Sequence, residues 1–182
     1  YVAVAVPGKV LLLDSSGGVL DELSINASGV SMYPYGGKLY LAITSGGTIY
    51  LSSGSPGSLS SPQPLLVEPA GYSLTQPSLA VYGGEMAIGY TVESSMAAGT
   101  NIGLSYGPLT NINSTVLTTD GMEFSPSIAL VDPGSASIYM AFTSSAGQGN
   151  VYFITQPVAT LQALTSPSPT TTTTTTSRPS SS

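Results

Sequence analysis

The chain has 182 residues and a net charge of −6, and only 7% of it is charged, where ~25% is usual. With no Cys and no His, disulfides, thiolate metal sites and all imidazole or thiol catalysis are excluded. Three cations cannot form the clustered basic surface that nucleic acid requires, and no apolar run reaches the 18 residues of a membrane span. The 41% of hydrophobic residues suffices for a core, and 21 Gly and 14 Pro among Val, Ile, Tyr and Thr favour short strands and tight turns. No cofactor is expected.

Taken in order, residues 1–26 predict three strands: Val2 to Val6, Lys9 to Leu13 and Val19 to Leu23. Pro7-Gly8 and the Asp14-Ser-Ser-Gly-Gly18 stretch turn between them. The unbroken Val10-Leu11-Leu12-Leu13 run suggests a strand covered on both faces.

A longer unit then occurs three times, around SMYPYGGKLYLAITSGGTIYLSSG (31–54), SLAVYGGEMAIGYTVESSMAAGTNIGLSY (78–106) and SIALVDPGSASIYMAFTSSAGQGNVYFIT (127–155). Its second strands superimpose as Leu39 to Thr44, Met86 to Thr91 and Ile138 to Thr143, spaced 47 and 52 residues apart. Positions one, three and five are large and share a face by the two-residue period. Position four is small (Ala42, Gly89, Ala141), which lets a neighbouring sheet approach closely. Gly36-Gly37, Gly83-Gly84 and Asp132-Pro-Gly134 make the hairpin turns. A weaker fourth strand follows each copy, near Leu65 to Val67, Thr115 to Thr118 and Leu161 to Leu164.

Four hairpin-linked strands recurring at this interval is the layout of a propeller blade. Over residues 1–164 the strand–Gly-Gly–strand pattern resembles the blades of sialidase-like (BNR-type) β-propellers. The fold class is therefore all-β: repeated four-stranded antiparallel units in a small or partial β-propeller, with a β-sandwich as the alternative. The first unit is read as a blade without its first strand. The family's S-x-D-x-G-x-x-W turn is missing, since the chain has no Trp. The arginine cluster of a sialidase site is missing too, because the one arginine is Arg178. The resemblance thus implies a fold and no activity.

Residues 165–182 are Ser, Thr and Pro with one arginine, and cannot bury enough apolar surface to offset ordering entropy. This composition reads as an O-glycosylated stalk or linker on an extracellular, surface-displayed protein, with Thr170, Thr171 and Thr172 among the carriers. Asn26-Ala-Ser28 and Asn113-Ser-Thr115 are N-glycosylation acceptors in expected loops.

Paired carboxylates are the one catalytic chemistry left, with Glu85, Glu93, Asp120 and Glu123 as candidates near strand ends. Surface or capping roles explain them more simply, and no catalytic residue is assigned. Asp14 with Ser15 and Ser16 lacks the ligand spacing of a calcium loop, so an Asx-type turn is expected and no metal site. Among eleven tyrosines, Tyr33 and Tyr35 flank Pro34 and point the same way, which makes them the candidate binding pair for a glycan or protein at the cell surface. The Val-Ala alternation of Tyr1 to Val6 carries no edge charge. That strand is expected to close a ring beside Val151 to Thr155, to pair with another chain, or to pair within its own sheet. The expected function is a non-catalytic recognition or adhesion module. The alternatives are a surface-layer or filament subunit assembled by strand exchange, and a carboxylate-dependent glycoside hydrolase.

Overall fold

A computed structural model describes residues 1–95, 99–109, 112–116, 123–131, 137–144 and 150–157. These form fifteen strands and no helix. In order they are β1 (Val2–Val6), β2 (Lys9–Leu13), β3 (Val19–Leu23), β4 (Gly29–Tyr35), β5 (Lys38–Ser45), β6 (Thr48–Ser55), β7 (Ser58–Leu59) and β8 (Gln63–Val67). There follow β9 (Tyr72–Tyr82), β10 (Glu85–Ser94), β11 (Thr100–Pro108), β12 (Asn113–Val116), β13 (Glu123–Val131), β14 (Ser137–Ser144) and β15 (Asn150–Pro157).

The strands build four antiparallel sheets in chain order: β1-β2-β3, β4-β5-β6 with β7 and β8 both on β6, β9-β10-β11-β12, and β13-β14-β15. Three separate cores lie between successive sheets, rather than one core between two sheets as in a sandwich. Strands β4, β9 and β13 pack on one another as the inner strands of successive blades do. The fold is a partial β-propeller: among the described residues no core joins sheet one to sheet four.

The repeated second strands explain the stacking. Leu39, Leu41 and Ile43 of β5 bury against sheet one, Met86, Ile88 and Tyr90 of β10 against sheet two, and Ile138, Met140 and Phe142 of β14 against sheet three. The small fourth position receives the next sheet. A Cβ built on Gly89 would lie 3.1 Å from Met140 Cε and 3.2 Å from Pro126 Cβ. Burial of each such large side chain contributes about 1.5–3 kcal/mol.

Proline placement also has a structural meaning. In β9, Gln76 and Pro77 stand opposite Tyr90 alone, and Gln76 takes φ 49°. In β13, Ser125 and Pro126 stand opposite Phe142 in the same way. Each Pro therefore falls at a bulge, where its missing N–H breaks no ladder bond. β9 thereby continues through its bulge back to Tyr72, beyond Ser78, where the repeated unit begins in the sequence.

Sheet one departs from the repeat. Counted from the hairpin, Val10 and Leu12 hold the places in β2 that Leu39 and Leu41 hold in β5. Yet Val10 and Leu12 face the following sheet, sharing a core with Leu39, Leu41 and Ile43. Sheet one is thus turned over, and it covers the face of sheet two that a preceding blade would cover. Strand β1 lies nearest β4, so among the described residues sheet one has its inner strand and no outer one, the reverse of the sequence expectation. β1 pairs with β2 from Val2↔Leu13 to Val6↔Lys9, within its own sheet. Fourth strands appear at β8 and β12 as expected. The turn at Asp132-Pro-Gly134, the 161–164 strand and the stalk from residue 165 lie outside the described residues.

Candidate functional site

The two inner hairpins end in the same tripeptide, Tyr35-Gly36-Gly37 and Tyr82-Gly83-Gly84. All four glycines have positive φ, from 58° to 83°, the conformation that a two-residue hairpin of this kind demands. The turns bring the two tyrosines together at one end of sheets two and three. Their ring centroids are 6.0 Å apart at 45°, and the Gly83 amide donates to Tyr35 Oη at 2.9 Å. Tyr35 is half-buried, Tyr82 is 41% exposed, and Pro34 beside them is exposed. A fixed aromatic face with a hydroxyl at its edge can stack on a sugar ring or anchor a protein contact.

Behind this rim, Tyr106 is buried and its hydroxyl donates to the Glu85 carboxylate. Burial first, and then the Glu85 hydrogen bond, push the phenol well above its ordinary range. Glu85 is thereby engaged.

Tyr33 and Tyr35 part company. Tyr33 packs against the cores on both sides of sheet three, so only Tyr35 reaches the rim. Tyr82 was one tyrosine among eleven in the sequence, and the repeated Tyr-Gly-Gly was the signal that could have singled it out. Asn26 is exposed in the segment between β3 and β4. Its acceptor partner Ser28 has its hydroxyl 2.8 Å from Leu74 O, 3.1 Å from Thr44 O and 3.0 Å from Thr44 Oγ1. Asn113 begins β12, opposite Tyr106. Thr170, Thr171 and Thr172 lie outside the described residues.

Of the four candidate carboxylates, Glu93 accepts from Thr75 Oγ1 at 3.2 Å and Ser73 Oγ at 3.5 Å, at the far end of β10 from Glu85. Eight residues of strand separate the two by about 27 Å, against the roughly 5–9.5 Å at which a glycosidase pair works. Asp120 lies outside the described residues, and Glu123 opens β13. Asp14 forms the Asx-type turn: its Oδ1 accepts from Ser16 Oγ, Ser16 N and Gly18 N at 2.6, 2.8 and 2.9 Å. The Ser16 hydroxyl and then the Gly18 amide hold this carboxyl below its usual value. No group of three metal-ligating side chains occurs among the described residues, and no helix there is long and apolar enough to cross a membrane.

No protein-family model matches this chain, and neither does any curated protein. Its structure is similar to that of an endo-arabinase from Bacteroides thetaiotaomicron, with a TM-score of 0.48 and 12% identity over 82% of this chain and 64% of that one. It is also similar to a GH32 beta-fructofuranosidase from Bombyx mori, with a TM-score of 0.48 and 13% identity over 84% of this chain and 35% of the other. The chain spans less than two thirds of the length of either enzyme.

Proposed function

We propose that this chain is a non-catalytic recognition or adhesion module, displayed outside the cell on its Ser/Thr-rich stalk, that binds glycan or protein through the hairpin end of sheets two and three. The observation that carries the reading is the Tyr35–Tyr82 pair, held by the Gly83 amide and open to solvent at Tyr82. The separation of Glu85 and Glu93, each already bound to hydroxyls, speaks against their acting as a hydrolytic pair. Screening the chain and its Tyr82→Ala variant on glycan and extracellular-matrix panels tests the reading. Binding that weakens about tenfold or more on removal of one stacking ring is expected. A panel ligand bound equally by both proteins, or release of sugar from any panel glycan, would sink it.

A second reading, a filament or surface-layer subunit, is favoured by one feature. Among the described residues sheet one has three strands, with β1 and β3 at its two edges. Edge strands invite pairing between chains.

A further inference from the structure

The first glycosylation acceptor, Asn26-Ala-Ser28, is built into the joint between sheets two and three. The Ser28 amide donates to Thr44 O at 2.7 Å, beside the Gly29↔Thr44 pair that opens the β4–β5 ladder. The Ser45 hydroxyl donates to Asn26 O at 2.7 Å. The Ser28 hydroxyl donates to Leu74 O at 2.8 Å, with Thr44 Oγ1 and Thr44 O at 3.0 and 3.1 Å. Leu74 is fully buried in the core between the two sheets, and its own amide donates to Gly46 O at 2.8 Å.

An acceptor is defined by two groups, the Asn amide that takes the sugar and a hydroxyl two residues further on. Because only Ser or Thr serves at the second place, the transferase must read that hydroxyl, and holding both groups requires the backbone between them. Asn26 and Ser28 are exposed as residues, so cover is not the obstacle. The obstacle is engagement: Leu74, Thr44 and Ser45 already hold the hydroxyl and the backbone groups beside it. Leu74 comes 46 residues after Ser28, so the tripeptide is synthesised well before the partner that locks it.

We propose that Asn26 is glycosylated only before β9 docks on sheet two, and that the folded chain is closed to the transferase. The co-substrate is an oligosaccharide linked through phosphate to a lipid. A C–N bond forms from Asn26 Nδ2 to the anomeric carbon, the sugar–phosphate bond breaks, and the amide proton leaves with the lipid phosphate. Occupancy of the site is then set by a race between transfer and the docking of β9. This inference rests on the reading that the chain is displayed outside the cell.

The test takes the full chain, made in a host without the transferase and purified folded. It is incubated with an oligosaccharyltransferase of Asn-x-Ser/Thr specificity and its lipid-linked donor. A synthetic peptide of residues 20–34 (LDELSINASGVSMYP) is treated alongside, and Asn26 occupancy is read by peptide mass spectrometry. The folded chain is expected to react about a hundredfold more slowly than the peptide, since three hydrogen bonds at about a factor of five each must open first. Leu74→Asp puts a charge in the core beneath β9, and should bring the full chain to within about threefold of the peptide. A folded chain modified as fast as the peptide would overturn the proposal and leave surface display standing. A peptide that the transferase refuses would remove the acceptor and the proposal together. A Leu74→Asp chain as slow as the parent would also overturn it, because β9 would not be what closes the site.

Discussion

The ring of Tyr90 crosses its cross-strand partner Gly103 so closely that any Cβ on Gly103 would overlap it. Tyr90 is fully buried, and Ser105 Oγ donates to its hydroxyl at 3.3 Å. The bulge opposite Tyr90 in β9 and the bare backbone of Gly103 in β11 together make room for the ring in the core between sheets two and three.

Gly103→Ala should therefore destabilise the fold by about 2–3 kcal/mol, the upper range for overpacking a rigid site. Combining it with Tyr90→Leu should lose less than the two single changes added together, with a coupling above about 0.5 kcal/mol in denaturant unfolding. Strict additivity would mean that the ring and the glycine do not meet.

Gly89→Ala is expected to be milder, at about 1 kcal/mol or less, because the nearest atom is the flexible end of Met140. Gly89→Val, which pushes further toward Pro126, should cost more than twice as much by the same measurement.

Two changes that both destroy the first glycosylation acceptor should differ in stability. Asn26→Gln alters an exposed side chain and should leave the unfolding midpoint unchanged within about 0.5 kcal/mol. Ser28→Ala removes the hydroxyl that bridges Leu74 and Thr44 between sheets two and three, and should cost about 1 kcal/mol. Intact mass of protein from its native host should fall by the same glycan in each variant. Equal stabilities, or no glycan mass on the parent, would refute this account.

Stability should be nearly level from about pH 7 to about pH 4, since few groups titrate there. Asp14 has a lowered pKa, so its contribution is present above the ordinary carboxyl range and fades as pH falls below it. Tyr106 has a raised pKa, so its contribution is full below about pH 10 and is lost as pH rises further. Tyr106→Phe removes that ionisation and should flatten the alkaline limb of a melting-temperature profile. An alkaline limb of unchanged slope would mean that another group governs it.

The sequence by itself determined what depends on neighbours along the chain. Alternation placed Leu39, Leu41 and Ile43 on one face of β5, and positive-φ glycines fixed the hairpins at 36–37 and 83–84. The small residues Ala42 and Gly89 marked the face that the next sheet approaches, because only a short side chain leaves room for one. What the period of two cannot specify is which neighbouring sheet a face meets, since it distinguishes two sides without naming either. Only the tertiary structure decided that Val10 and Leu12 turn forward onto sheet two, and that Tyr33 is absorbed between cores while Tyr35 meets Tyr82. Each of these is set by contacts between residues far apart in the chain, where the packing of whole sheets outweighs local preference.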